Sequence, residues 1–164
     1  MAQRNILTKE QPGLYKKSRP VTEFNPRLHQ LLDDMIDTLS TANGVGLAAP
    51  QVGVLRRAVI VLETNVPEDE DDIIELINPE IIEASGEQEG AEGCLSVPGE
   101  FGLVKRPMHV KVRAQNRFGE WFEVEGDGLT ARCFCHEIDH LEGIVFTSKA
   151  ERMLTEEELQ SGEY

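Results

Sequence analysis

Residues 133–143 read Cys-Phe-Cys-His-Glu-Ile-Asp-His-Leu-Glu-Gly, and the His-Glu-x-x-His core at their centre constrains the fold more than any other stretch. His136 and His140 are four apart, so on a helix they share one face, a turn apart. Both imidazoles can then reach one ion at about 2.0–2.1 Å, and Glu137, rotated by one position, sits beside that ion as a base for water rather than as a required ligand. A catalytic divalent ion usually takes three protein donors and keeps one position for water. The third donor has two sources. Cys133 lies at i, i+3, i+7 with the two histidines and faces the same way, but one helix has difficulty closing three ligands around a small ion. Otherwise a second segment must be folded against this helix. Without metal, the pattern is a surface helix that happens to carry two histidines.

The elements that could supply such a partner are readable. Residues 1–24 form an irregular arm, broken by Pro12-Gly13 and Arg19-Pro20. Asn25-Pro26 then starts a helix, with Asn as N-cap and Pro at the first helical position. Leu28, Leu31, Leu32, Met35, Ile36 and Leu39 recur on one buried face, and Asn43-Gly44 closes the helix in left-handed geometry. Residues 57–63 read as a buried strand, residues 65–72 as an acidic surface loop, and residues 73–78 and 80–84 as two short strands around Pro79. Residues 109–115 and 121–125 alternate about the turn Asn116–Gly119 and predict a hairpin. Asp127 is placed to cap the metal-motif helix and Gly143 to end it. Thr155 can cap one further helical turn. The fold class is α+β, with short mixed or antiparallel sheets packed around the helix that carries the metal motif, in a single domain over residues 1–164.

Charge and composition limit the partners. With 16 Lys and Arg against 30 Asp and Glu, the formal charge of −14 argues against a nucleic-acid backbone or an anionic membrane as the main partner. The N-terminal residues contain no apolar signal-peptide core and no stretch is long enough to span a bilayer, so a cytoplasmic address is expected. Three cysteines do not suit a disulfide framework; in a reducing compartment thiols pack, bind metal or react.

Two further segments bear on the metal question. Glu92-Gly-Cys-Leu-Ser-Val-Pro98 places Cys94 between a glycine and a following proline, in an extended and closely approached backbone; alone, Cys94 reads as a small buried hydrophobe. Gly44-Val-Gly-Leu-Ala-Ala-Pro-Gln51 lets another backbone come close and offers the Gln51 amide; alone it is a helix-to-strand loop. Taken together and in this order, Gly-x-Gly-Leu-Ala-Ala-x-Gln, Glu-Gly-Cys-Leu-Ser and His-Glu-x-Asp-His-Leu resemble the three signature motifs of the peptide deformylases. The resemblance runs from about Ile6 to Phe146.

That resemblance implies that Cys94, His136 and His140 hold one catalytic ferrous ion, which zinc, nickel or cobalt can replace. It implies removal of the formyl group from the N-terminal methionine of nascent polypeptides, with release of formate. Glu137 would take the proton of the attacking water and return it to the departing amine. The side-chain amide of Gln51 and the backbone N–H of Leu95 would face the oxyanion. The substrate would lie extended along Val45-Gly46 and Gly90–Gly93, Gly93 included, paired by main-chain hydrogen bonds that read no side chains. Val45, Glu92, Leu129, Cys133 and His136 would line or edge a methionine pocket. The family setting also implies a monomer working on formyl-methionyl nascent peptides near the ribosome exit, without sequence-specific nucleic acid or membrane contacts.

This chain departs from the family pattern in three places. Cys135 stands where glutamine is usual, and its position about 100° round the helix turns it away from the ion to pack on the sheet. Phe101 occupies a position that is basic or polar in many relatives. The tail after Phe146 lacks a long C-terminal helix. Arg106 and Asp139 are expected to pair and tie the Cys94 segment to the metal helix. Two other functions compete: a His-Glu-x-x-His metallopeptidase acting on unformylated peptides, whose third ligand normally lies downstream whereas His29 and His109 are upstream here, and a binding-only relative, which would be expected to have lost part of the Gln51, Cys94, Glu137 and histidine set.

Overall fold

A computed structural model describes residues 2–63 and 72–164; the acidic loop expected over residues 65–72 lies, Asp72 apart, outside them. Helix α1 (Pro26–Ala42) starts as expected: the Asn25 side chain accepts from the Leu28 N–H, and Pro26 needs no partner for an N–H it lacks. A cap of this kind contributes about 1 kcal/mol. At the other end Asn43 adopts φ 56°, closing the helix in the left-handed region.

Strands β1 (Gly46–Ala48), β2 (Ala58–Leu62), β3 (Ile73–Ser85), β6 (His109–Gln115) and β7 (Trp121–Asp127) form one sheet in the order β1-β2-β3-β6-β7. Strands β4 (Gln88–Cys94), β5 (Val97–Arg106) and β8 (Arg152–Met153) form a second, in the order β4-β5-β8. Among the described residues every ladder is antiparallel, and the one parallel contact is a lone bridge between Arg19 and Arg56. β1 and β4 are therefore edge strands.

Helix α2 (Leu129–Leu141) lies on one face of the five-stranded sheet and α1 on the other. The alternation of a strand sends successive side chains to opposite faces, and β2 uses both. Val59 and Val61 pack with Phe134 and Leu141 of α2, whereas Ala58 and Ile60 pack with Leu32 and Met35 of α1. A strand buried on both sides reads as a continuous apolar run, which is why Ala-Val-Ile-Val-Leu was legible. Leu14, Val97, Val104, Val145 and Phe146 form a separate cluster under the smaller sheet. Cys135 packs against the large sheet, in the position expected of it.

Two expected boundaries are corrected. Residues 73–85 form one strand, not two around Pro79. The register shifts between Ile77 and Glu80 absorb the proline in a bulge. Asn78 at φ 53° makes the bend, and its side chain accepts from Val21 N–H at 2.8 Å and donates to Val21 C=O at 2.9 Å. The start of α2 is also different. Asp127 does not cap it but pairs with His109 at 2.7 Å, and the turn into the helix is made by Gly128 at φ 56°, a conformation that costs an L side chain energy. The hairpin of β6 and β7 forms about Asn116, whose side chain accepts from the N–H groups of Phe118 and Glu120. Thr155 and Glu158 cap the short helix α3 (Glu156–Ser161) reciprocally.

Candidate metal centre

α2 presents His136 and His140 from its buried face, and the end of β4 brings Cys94 to them from the other sheet. The Cys94 Sγ lies 3.4 Å from His140 Nε2, and the two Nε2 atoms are 3.2 Å apart. Donors arranged tetrahedrally around a zinc-sized ion would be separated by about 3.3 Å between nitrogens and about 3.6 Å between nitrogen and sulfur. The donor set therefore fits a first-row divalent ion. Among the described residues, Cys94, His136 and His140 form the one such cluster. Cys133 faces the adjoining cavity, and burial pushes its thiol up to about 12, away from thiolate character.

Glu92 is the residue whose role the sequence concealed. Its carboxylate accepts from Arg106 Nε at 3.0 Å and Nη2 at 2.6 Å, from Arg132 Nη1 at 2.9 Å, and from His136 Nδ1 at 2.7 Å. Burial works to protonate it, but His136 and Arg106 hold it well below the ordinary carboxylate range. An anionic acceptor places the proton on His136 Nδ1 and leaves the Nε2 lone pair facing His140 and Cys94, the carboxylate–imidazole arrangement that orients metal-binding histidines. Arg106 also donates to Asp139 at 2.8 Å, so the expected pair is present within a larger network.

The surroundings are electron-rich. Burial opposes charge on His136, but Glu137, Cys94 and Glu92 raise its pKa well above the usual value, while burial and the neighbouring His136 lower that of His140. Such a pocket favours a positive charge at its centre. Glu137 is buried, and its Oε1 has no hydrogen-bond partner among the described residues. Desolvation raises this carboxyl to about 7. Its other oxygen lies 4.0 Å from His136 Nε2 and so near that a Cβ on Gly46 would sit 2.7 Å from it. Only glycine leaves that space at residue 46.

Gln51 sits in a single 3-10 turn after β1, and Ala48 N–H donates to its Oε1 at 2.9 Å. That bond turns Nε2 toward the centre, 3.1 Å from Ser96 Oγ and 3.5 Å from Cys94 Sγ. A cavity of about 440 Å³ opens beside these groups. Of the other residues expected at the site, Val45, Gly46, Glu92, Gly93, Leu95, Leu129 and Cys133 line it, whereas Gly90 lies outside its lining. Phe101 lies on its rim against Gly93. Arg132, which also lines it, was missed. The available signal was its position one helical turn before His136, on the same face.

Two imidazoles and a thiol converging beside a buried carboxylate with one oxygen unpartnered among the described residues, at the foot of a cavity, define a hydrolase site of the metal-dependent class. The polypeptide deformylase profile matches residues 3–156, and the chain belongs to that family of metalloenzymes, which removes the N-terminal formyl group from nascent polypeptides. A peptide deformylase of Caldicellulosiruptor bescii is 54% identical over 160 residues, covering 98% of this chain and 93% of that one. The crystal structure of a peptide deformylase from Legionella pneumophila superposes with a TM-score of 0.85 at 42% identity, covering 98% of this chain and 90% of the other. A class I type b peptide deformylase from Acinetobacter baumannii, crystallised with Met-Ala-Ser bound, gives a TM-score of 0.84 at 37% identity over 90% of this chain and 98% of that one.

Proposed function

We propose that Cys94, His136 and His140 hold one ferrous ion, replaceable by zinc, nickel or cobalt, and that formyl-methionyl peptides are hydrolysed beside it. The observation supporting this is the convergence of Cys94 Sγ with both Nε2 atoms, all within 4.8 Å of one another. A soft thiolate with two imidazoles suits any of these first-row ions. When bound, the ion supplies a water of lowered pKa and a positive charge next to the formyl oxygen.

The chain's own groups supply the rest. Glu137, raised to about 7 by burial, takes a proton from the attacking water and delivers it to the amine as the C–N bond breaks. Formate and a free N-terminal amine leave. Gln51 Nε2, aimed by the Ala48 bond, and the Leu95 N–H donate to the developing oxyanion. The substrate lies extended between β1 and β4, two edge strands with unfilled pairing positions on either side of the cavity. Its methionine enters between Val45, Leu129 and Cys133, with Gly46, Glu92 and Gly93 along the wall. Residues 1–164 act as one domain, as a monomer in the cytoplasm, on chains emerging from the ribosome. No helix among the described residues is long and apolar enough to cross a membrane.

Formate release from formyl-Met-Ala-Ser, compared with cleavage of unformylated peptides, tests the reading. Turnover of the formylated peptide alone is expected. Glu137→Gln should lower kcat by about 10²- to 10⁴-fold while metal content is kept. Cleavage of unformylated peptides at a comparable rate would mark a metallopeptidase instead.

A further inference from the structure

The N-terminal arm, irregular in sequence, donates one backbone N–H to each of the three motif segments. Leu7 N–H donates to Gln51 C=O at 2.7 Å, Lys9 N–H to Ser96 C=O at 3.0 Å, and Ser18 N–H to Leu141 C=O at 2.8 Å. The acceptors lie far apart in the chain: the 3-10 turn after β1, the turn between β4 and β5, and the last residue of α2. The arm itself is held on both sides of these bonds. Ala2 N–H donates to Asp34 on α1 at 2.9 Å, Arg4 pairs with the same carboxylate, and Arg4 N–H donates to Thr38 Oγ1. Tyr15 Oη donates to Lys9 C=O at 2.6 Å, and the Lys9 ammonium pairs with Glu100. Past Tyr15 the arm runs so close to Gly143 that a Cβ there would collide with the Tyr15 C=O.

Two of these bonds meet the chemistry at Gln51 and Ser96. Both residues are buried, and Ser96 Oγ accepts from Gln51 Nε2 at 3.1 Å. The last torsion of a glutamine side chain has no sharply preferred value, so rotamer preference leaves the plane of the amide open. Two bonds close it. The Ala48 N–H on Oε1 fixes which end is nitrogen, and Ser96 takes one of the two Nε2 hydrogens. The other hydrogen then faces Cys94 Sγ, 3.5 Å away on the side of the metal centre. Gln51 follows a strand of the large sheet and Ser96 joins two strands of the small one, so their separation depends on how the sheets seat against each other. Leu7 and Lys9, two residues apart, can reach about 7 Å at most, so their bonds limit how far the two segments can part.

We propose that residues 7–9 are a strap that positions the oxyanion donors, and that Ser96 is the positioning residue through which it acts. The Leu7 and Lys9 N–H groups hold the Gln51 backbone and the Leu95–Ser96 turn at the separation where Ser96 Oγ fixes the Gln51 amide. The inference rests on the reading that Gln51 Nε2 and the Leu95 N–H face the oxyanion. Both donor segments are gripped from outside the cavity, so the strap touches no substrate and leaves the methionine pocket unchanged. Its contribution falls on the transition state, where a donor misplaced by about 1 Å can cost about 10²-fold in rate.

The test is a double-mutant cycle on metal-loaded enzyme, reading kcat and KM for formyl-Met-Ala-Ser together with metal content. Ser96→Ala and Leu7→Pro, which removes the N–H, should each lower kcat about ten- to hundredfold while KM stays within about twofold and metal is kept. Leu7→Ala keeps the N–H and should turn over at least about fivefold faster than Leu7→Pro. In a Gln51→Ala background the further loss from Ser96→Ala or Leu7→Pro should shrink to about twofold or less, because a donor already removed cannot be misplaced. If Leu7→Pro does not fold, Lys9→Pro and Ser96→Ala carry the same cycle. Losses that persist undiminished without Gln51, or that appear as lost metal or raised KM at unchanged kcat, mark a merely structural arm and overturn the proposal. Gln51→Ala at the parent rate overturns the oxyanion reading and the strap with it. A slow Gln51→Ala beside Ser96→Ala and Leu7→Pro at the parent rate overturns the strap alone.

Discussion

At the scale of single residues, position along a helix or strand already carried much of the site. His136 and His140 one turn apart, with Glu137 beside them, follow from helical geometry. Arg132 precedes His136 by one turn, so a closer reading of helical spacing could have joined those two. The register of β4 shifts between Gly93 and Cys94, so simple strand alternation could not have placed Glu92 beside Cys94. What spacing could not supply is the direction of the Glu92 carboxylate, which is taken up by Arg106, Arg132 and His136 while the residue also lines the cavity. The two candidate thiols differ in a measurable way. Cys94→Ala should lose the metal, and Cys133→Ala should keep it, as read by metal analysis of anaerobically purified protein. Loss of metal in Cys133→Ala alone would show that the helix-only site is the real one.

At the scale of elements, the periodic segments were legible and the irregular ones were not. α1, β2 and the β6–β7 hairpin carry clean periods, whereas β5 hides its strand behind a proline and two glycines. Arg106 on β5 joins β4 through Glu92 and α2 through Asp139, so one guanidinium ties both halves of the site together. Arg106→Ala would leave the Glu92 charge buried with less compensation. It should cost about 3–5 kcal/mol in urea unfolding and lower metal retention. An unchanged melting temperature would show that the network is not structural. Asn78 performs a comparable task for the bulge in β3. Asn78→Ala loses the bonds to Val21 and must hold a left-handed backbone without a side chain suited to it, an expected loss of about 2–3 kcal/mol by the same measurement.

At the scale of the whole molecule, the site lies where two sheets meet and His136 stacks on Phe146, but most of the apolar core that holds the fold together is supplied by side chains that hold no metal. Chelation of the metal should therefore abolish formate release while a cooperative melting transition survives in calorimetry, and restoring ferrous ion anaerobically should return activity. Residue order alone was enough for the α+β class, the buried faces, the three motifs and the family they indicate, because side-chain period and local spacing are properties of the chain. It could not supply the single long strand through Pro79, the start of α2 at Gly128 or the four-donor grip on Glu92. Each of these depends on hydrogen bonds and charges from segments far apart in the chain, whose meeting is settled only when the sheets and helices have packed.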